Sequence, residues 1–207
     1  ITFYCPGAGN IDFGDQGVRA GLEAAGYRGQ VATVVWTVSF NPAIDQAVKI
    51  NARTGAAQLA RAIERYIDEY PGRPVNVVGL SAGTGVAVFA LERLGPKYKV
   101  DNVVLLASSL SYDYDVGPAL QRVKGRIYNY YSSKDAVLAG PMKVFGTIDG
   151  RFGVDGAGAV GLYAAKKNDR VVNVRWRQDY QRYGYYGGHL DVTAPEFVRA
   201  ELSSHIL

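Results

Sequence analysis

PVNVVGLSAGTGVAVFALERLGP, residues 74–96, holds the most specific pattern in the sequence. Val75-Asn76-Val77-Val78 is a short apolar, β-branched run of the kind that forms a buried strand. Ala82–Leu94 carries helical spacing instead, with Ala87, Ala90, Leu91 and Leu94 on one face and Gly95-Pro96 closing it. Between the two lies Gly79-Leu80-Ser81-Ala82-Gly83, which fits G-x-S-x-G. A serine at such a strand-to-helix junction sits on a sharp, strained turn with its hydroxyl projecting beyond the sheet. Strand and helix come so close there that side chains two positions either side would collide, and both positions are glycine.

On either side of this stretch, similar apolar runs occupy Ile1–Cys5, Val31–Val38, Val103–Ala107, Arg126–Tyr131 and Val171–Trp176. Most are nearly continuous in apolar residues, the pattern of strands covered on both faces. Helical patterns intervene. Leu59, Ile63, Tyr66, Ile67 and Tyr70 share a face before Pro71-Gly72, and Val198, Leu202 and Ile206 follow Pro195 in register. This alternation predicts an α/β fold: a doubly wound, mainly parallel sheet of about six strands with helices on both faces. The 207 residues are expected to form a single domain, 1–207. Ser39–Arg53 and Leu138–Lys166 read as long loops, the second rich in glycine.

A nucleophilic serine needs a base, and the chain has two histidines. His205 falls in the last helix beside Leu202 and Ile206, which suits a structural or solvent-facing role. His189 lies in Gly187-Gly188-His189-Leu190, after the last strand, and is the expected base. Asp135 follows the Arg126–Tyr131 strand by a short turn and is the expected acid between serine and histidine in chain order. Asp113 and Asp115, after the preceding strand, are its reserve, whereas Asp191 reads as a cap or surface charge. An oxyanion hole would take the N–H of Ala82 and one from Pro6-Gly7-Ala8-Gly9-Asn10, at Ala8 or Gly9.

Other chemistries find less support. The GAG turn after the first run lacks the full dinucleotide spacing, and Trp36-Thr37-Val38 stands where a ribose-binding acid belongs. No GK[ST] follows any glycine turn. Two histidines and one cysteine give no metal cluster of useful spacing. Cys5 reads as a small core residue. A net charge of +4, with 20% charged and 48% hydrophobic residues, suits a globular protein and points to no nucleic-acid partner. Arg175-Trp176-Arg177 and Arg182–Tyr186 interleave cations with aromatics, as a surface loop, a stacking platform or a wall beside His189. No apolar run approaches the length of a membrane helix. Ile1 already reads as strand, which leaves room for a removed upstream segment and for either a cytoplasmic or an exported location.

The elbow, LLASSLSYDYDVGPAL (105–120), YYSSKDAVLAG (130–140), FGTIDG (145–150) and the GGH segment together resemble the α/β-hydrolase superfamily, in a small bacterial branch, over essentially the whole chain. Larger members carry additional strands before the one that begins here at Ile1, and many have histidine where Pro6 stands. The resemblance implies a serine hydrolase acting on small-molecule acyl esters through an acyl-enzyme, with Ser81, His189 and Asp135 as triad and no cofactor. Thioesterase, amidase and acyltransferase chemistry would use the same triad. A catalytically inactive hydrolase-fold binding protein is the alternative of another class.

Overall fold

The structure is a computed structural model describing residues 1–8, 14–36, 45–140 and 146–207. Six parallel strands form one sheet: β1 (Thr2–Cys5), β2 (Val31–Thr33), β3 (Asn76–Leu80), β4 (Val103–Leu106), β5 (Ile127–Tyr131) and β6 (Val171–Arg175). Their order is β2-β1-β3-β4-β5-β6, with every neighbouring pair parallel. Every run read as strand in the sequence joins this sheet. The second is shorter than expected: the strand ends at Thr33, Val34 N–H still donates to Tyr4 O at 2.8 Å, and residues 37 and 38 lie outside the described part.

The alternation of side chains along each strand sorts the core into two layers. Phe3, Cys5, Val77, Val103, Leu105 and Ile127 face one side, under helices α2 (Asp45–Glu69) and α3 (Gly83–Arg93). Tyr4, Val78, Leu80, Val104, Leu106 and Tyr130 face the other, under α1 (Gly14–Ala24) and a helical run over 195–205. Burial on both faces is why these strands lack polar alternation.

The two expected loops need correction. Residues 45–53, read as part of a loop, are the first turns of α2. Ala52, Ala56 and Gly55 form its buried face there, and small residues give little hydrophobic periodicity to read. Residues 39–44 lie outside the described part. In the second, Leu138–Lys166, a helical turn occupies Ala157–Val160 and a 3-10 turn Tyr163–Lys166. Residues 141–145 lie outside the described part. The irregular piece after Gly146 is clipped to the β4 connection, where Asp149 accepts from Ser111 N and Oγ at 2.8 and 2.6 Å. Among the described residues no helix is long and apolar enough to cross a membrane.

The chain leaves β1 toward β2 on one side and re-enters as β3 on the other. The carboxyl ends of β1 and β3 therefore flank the switch point, where parallel sheets open a crevice for ligands.

Candidate active site

Ser81 leaves the end of β3 with φ 53, in the left-handed region that side chains avoid. Its N–H donates to Leu106 O at 2.9 Å, and α3 begins two residues later. A Cβ on Gly83 would strike the carbonyl oxygens of Cys5 and Pro6; one on Gly79 would come within 2.9 Å of Gly83 O and Thr84 Cα. Glycine at both positions lets the turn press against the end of β1, as the motif requires. The close approach brings Cys5 and Pro6, at the end of β1, against the elbow. Pro6 O is held there by Trp36 Nε1 at 2.8 Å. Ala82 occupies the N-cap of α3, so its N–H is among the donors a helix start leaves unpaired. Gly9 lies outside the described residues.

His189 reaches the serine from the other side. Its Nε2 lies 2.9 Å from Ser81 Oγ, and its Nδ1 lies 2.7 Å from Asp135 Oδ2. Asp135 is buried, at 1% exposure. Its other oxygen accepts from Val137 N and Leu138 N, each at 3.0 Å, as the N-cap of the single-turn helix α4 (Ala136–Ala139). The two backbone donors fix the carboxylate plane and leave Oδ2 directed at the imidazole. A carboxylate accepting from Nδ1–H leaves Nε2 as the acceptor for the serine proton.

The reserve acids are engaged elsewhere. Asp113 pairs with Arg151, whose guanidinium holds the carboxyl below the usual carboxylate range. Asp115 accepts from Gly117 N at 2.9 Å. Asp191 accepts from Tyr186 N at 2.8 Å, capping the loop that carries His189. His205 sits far along the chain against β5, bonded to Tyr130 at 2.9 Å. Burial pushes the Cys5 thiol up, which suits a core residue rather than a nucleophile. Among the described residues no group of three or more His, Cys, Asp or Glu gathers to hold a metal.

The sequence reading missed two supports. Gly17 and Gly21 on α1 leave no space for a Cβ against Thr193, Pro195 and Val198, so α1 clamps the segment after His189. The spacing Gly14-x-x-Gly17-x-x-x-Gly21 was the available signal. Trp176, in the Arg/aromatic stretch, lies under the Lys134 ammonium at 3.8 Å and donates to Tyr185 O at 3.0 Å. That stretch is therefore a brace beside the His189 loop.

The alpha/beta hydrolase family profile matches residues 14–142, more than half of the 207. A cutinase-like protein from Cryptococcus sp. superposes with a TM-score of 0.50 at 18% identity, covering 99% of this chain and 91% of that one. An esterase of Pyrococcus furiosus superposes with a TM-score of 0.59 at 13% identity, covering 99% and 81%. At these identities the likeness is one of fold. Among curated proteins none matches. By its sheet order, its strand–serine–helix turn and the matching family profile, the chain belongs to the alpha/beta hydrolase family.

Proposed function

We propose that the protein is a serine hydrolase of acyl esters, with Ser81 as nucleophile, His189 as general base and acid, and Asp135 as the acid that orients it. One observation carries the reading: an unbroken hydrogen-bonded chain, Ser81 Oγ to His189 to Asp135, assembled from three separate connections at one edge of the sheet. Nothing in the packing of the core calls for such a chain, whereas proton transfer from an attacking hydroxyl needs each link. The esterase and cutinase-like names among the structural neighbours agree with ester chemistry.

In this mechanism Ser81 Oγ adds to the acyl carbonyl while His189 Nε2 takes its proton. Asp135 stabilises the imidazolium that results. The N–H of Ala82 and one from Ala8 or Gly9 hold the oxyanion, helped by the positive end of α3. His189 then protonates the departing alkoxide, leaving Ser81 acylated. Water, activated by the same imidazole, repeats the sequence and frees the acid. No cofactor enters these steps. The test is a fluorophosphonate probe followed by peptide mass spectrometry: one adduct, on Ser81, lost together with ester turnover in Ser81→Ala. An adduct on Ser108, Ser132 or another serine, or no adduct at all, overturns the reading.

A further inference from the structure

Beyond the three residues of the proposed triad, a buried pair of hydroxyls converges on the same turn. Thr84, fully buried in the first turn of α3, donates its hydroxyl to the carbonyl oxygen of Ser81 at 2.5 Å. Its Oγ1 accepts in turn from Ser108 Oγ at 3.0 Å, and Ser108, also fully buried, accepts from Leu110 N at 3.3 Å. The direction of this chain is forced. A carbonyl can only accept, so the single Thr84 proton must go to it, and the Ser108 proton must then go to Thr84. The Ser81 carbonyl receives Thr84 N as well, at 3.0 Å, and Ser109 N at 3.4 Å. Ser108 follows Ala107, which among the described residues is the other non-glycine residue with positive φ, at 45°. Its own carbonyl accepts from Gly158 N at 2.8 Å, Gly158 O accepts from Ser132 N at 2.8 Å, and Ser132 O accepts from Asp135 N at 3.2 Å. A continuous hydrogen-bonded path thus joins the Asp135 turn to the Ser81 carbonyl.

We infer that Thr84 and Ser108 are positioning residues that aim the Ala82 N–H at the developing oxyanion. The reason is covalent. Ser81 C=O and Ala82 N–H belong to one planar trans peptide, so holding the oxygen on one side turns the N–H to the other. Three donors on the oxygen remove the freedom of that plane to rock, at a residue whose backbone is already strained. A donor that is rigid before the reaction stabilises the transition state without reorganising. The inference rests on the proposed hydrolase reading.

The experiment compares Thr84→Val, Thr84→Ser, Ser108→Ala and the double variant Thr84→Val/Ser108→Ala, with the wild type labelled by fluorophosphonate as reference. Thr84→Val keeps the shape and removes the donor. We expect kcat to fall about tenfold to fiftyfold with KM nearly unchanged, short of the roughly hundredfold or greater loss when an oxyanion donor is deleted outright. Binding of a trifluoromethyl ketone, which forms a tetrahedral oxyanion on the serine, should weaken in parallel. Thr84→Ser should restore both. Ser108→Ala should cost only a few-fold, because Thr84 can still donate. The double variant should regain melting temperature over Thr84→Val, since no buried hydroxyl is left without an acceptor, yet stay as slow. Full turnover in folded Thr84→Val, or a Thr84→Ser variant as impaired as Thr84→Val, overturns the positioning role. Turnover that recovers with melting temperature in the double variant makes the pair purely structural. A wild type that the probe does not label overturns the hydrolase reading itself, and the inference with it.

Discussion

Asp135 bears two duties at once, and a single substitution separates them. Oδ1 caps α4 and Oδ2 receives the imidazole. In Asp135→Asn the amide oxygen still satisfies Val137 and Leu138, so the turn survives. The NH2 then faces His189 Nδ1, where two donors cannot meet, and the imidazole is driven to the tautomer that cannot take the Ser81 proton. We expect a loss of up to about ten-thousandfold in kcat with an ordinary circular dichroism spectrum. Asp113→Asn gives up only an exposed pair with Arg151, and Asp115→Asn a surface turn, so both should retain most activity. Near-normal turnover in Asp135→Asn with collapse in either of the others would move the acid to the β4 connection. The three residues brought together were legible in the sequence. A G-x-S-x-G between strand and helix, one loop histidine after the last strand and an acid in the right order leave few combinations. Thr84 and Ser108 were not, because a serine or threonine carries no signal of its hydrogen-bond partner until two distant segments meet.

Secondary elements were legible in proportion to the size of their buried residues. The β-branched runs of β1, β3, β4, β5 and β6 stood out. The start of α2 did not, since alanine and glycine hide its buried face, nor did α1, whose contact with the C-terminal run is made by glycines. That C-terminal run holds a further element-scale device. The His205 ring stacks on Tyr128 at 3.7 Å between centroids and bonds to Tyr130 Oη at 2.9 Å. Burial pushes the Tyr130 phenol up, so the phenol donates and a neutral imidazole accepts. Burial also pulls His205 below its ordinary value of 6.5. The folded state therefore prefers neutral His205, and its share of stability is whole above the unfolded value of about 6.5 and is lost as pH falls through the lower folded value. Melting temperature should accordingly drop between pH 7 and pH 5. His205→Phe keeps a ring on Tyr128 but cannot titrate, and its melting temperature should depend less steeply on pH over that range. Parallel slopes in the two proteins would remove His205 from the account.

At the scale of the molecule, the two ends of the sheet differ. Residues 1 and 206 lie at the amino end of β3, where Ile1 N donates to Pro74 O at 2.8 Å and Asn76 Nδ2 to Ile206 O at 3.2 Å. The carboxyl end carries Ser81, and the connections leaving the strands there bear exposed apolar side chains, among them Val137 at 44% and Leu190 at 55% exposure. Val137 follows Asp135 by two residues and Leu190 follows His189 directly, so in the proposed reaction an acyl chain carried on Ser81 Oγ is expected to meet these apolar side chains. These side chains come from separate connections. They do not form the continuous apolar helix face by which a protein settles on a lipid surface. The expected preference is for soluble esters of moderate acyl length. A methylene fully buried gains about 0.8 kcal/mol, and one half covered by such a rim about half of that, which is roughly twofold in kcat/KM per methylene. Across p-nitrophenyl acetate, butyrate and hexanoate kcat/KM should climb by about that factor per added methylene. Leu190→Ser should flatten the climb while leaving acetate turnover near the wild-type rate. Crossing the solubility limit of a longer ester should bring no jump in rate. A rate that rises steeply once the ester forms an interface would instead mean that this end of the molecule settles on a surface, with the exposed side chains of the several connections acting together.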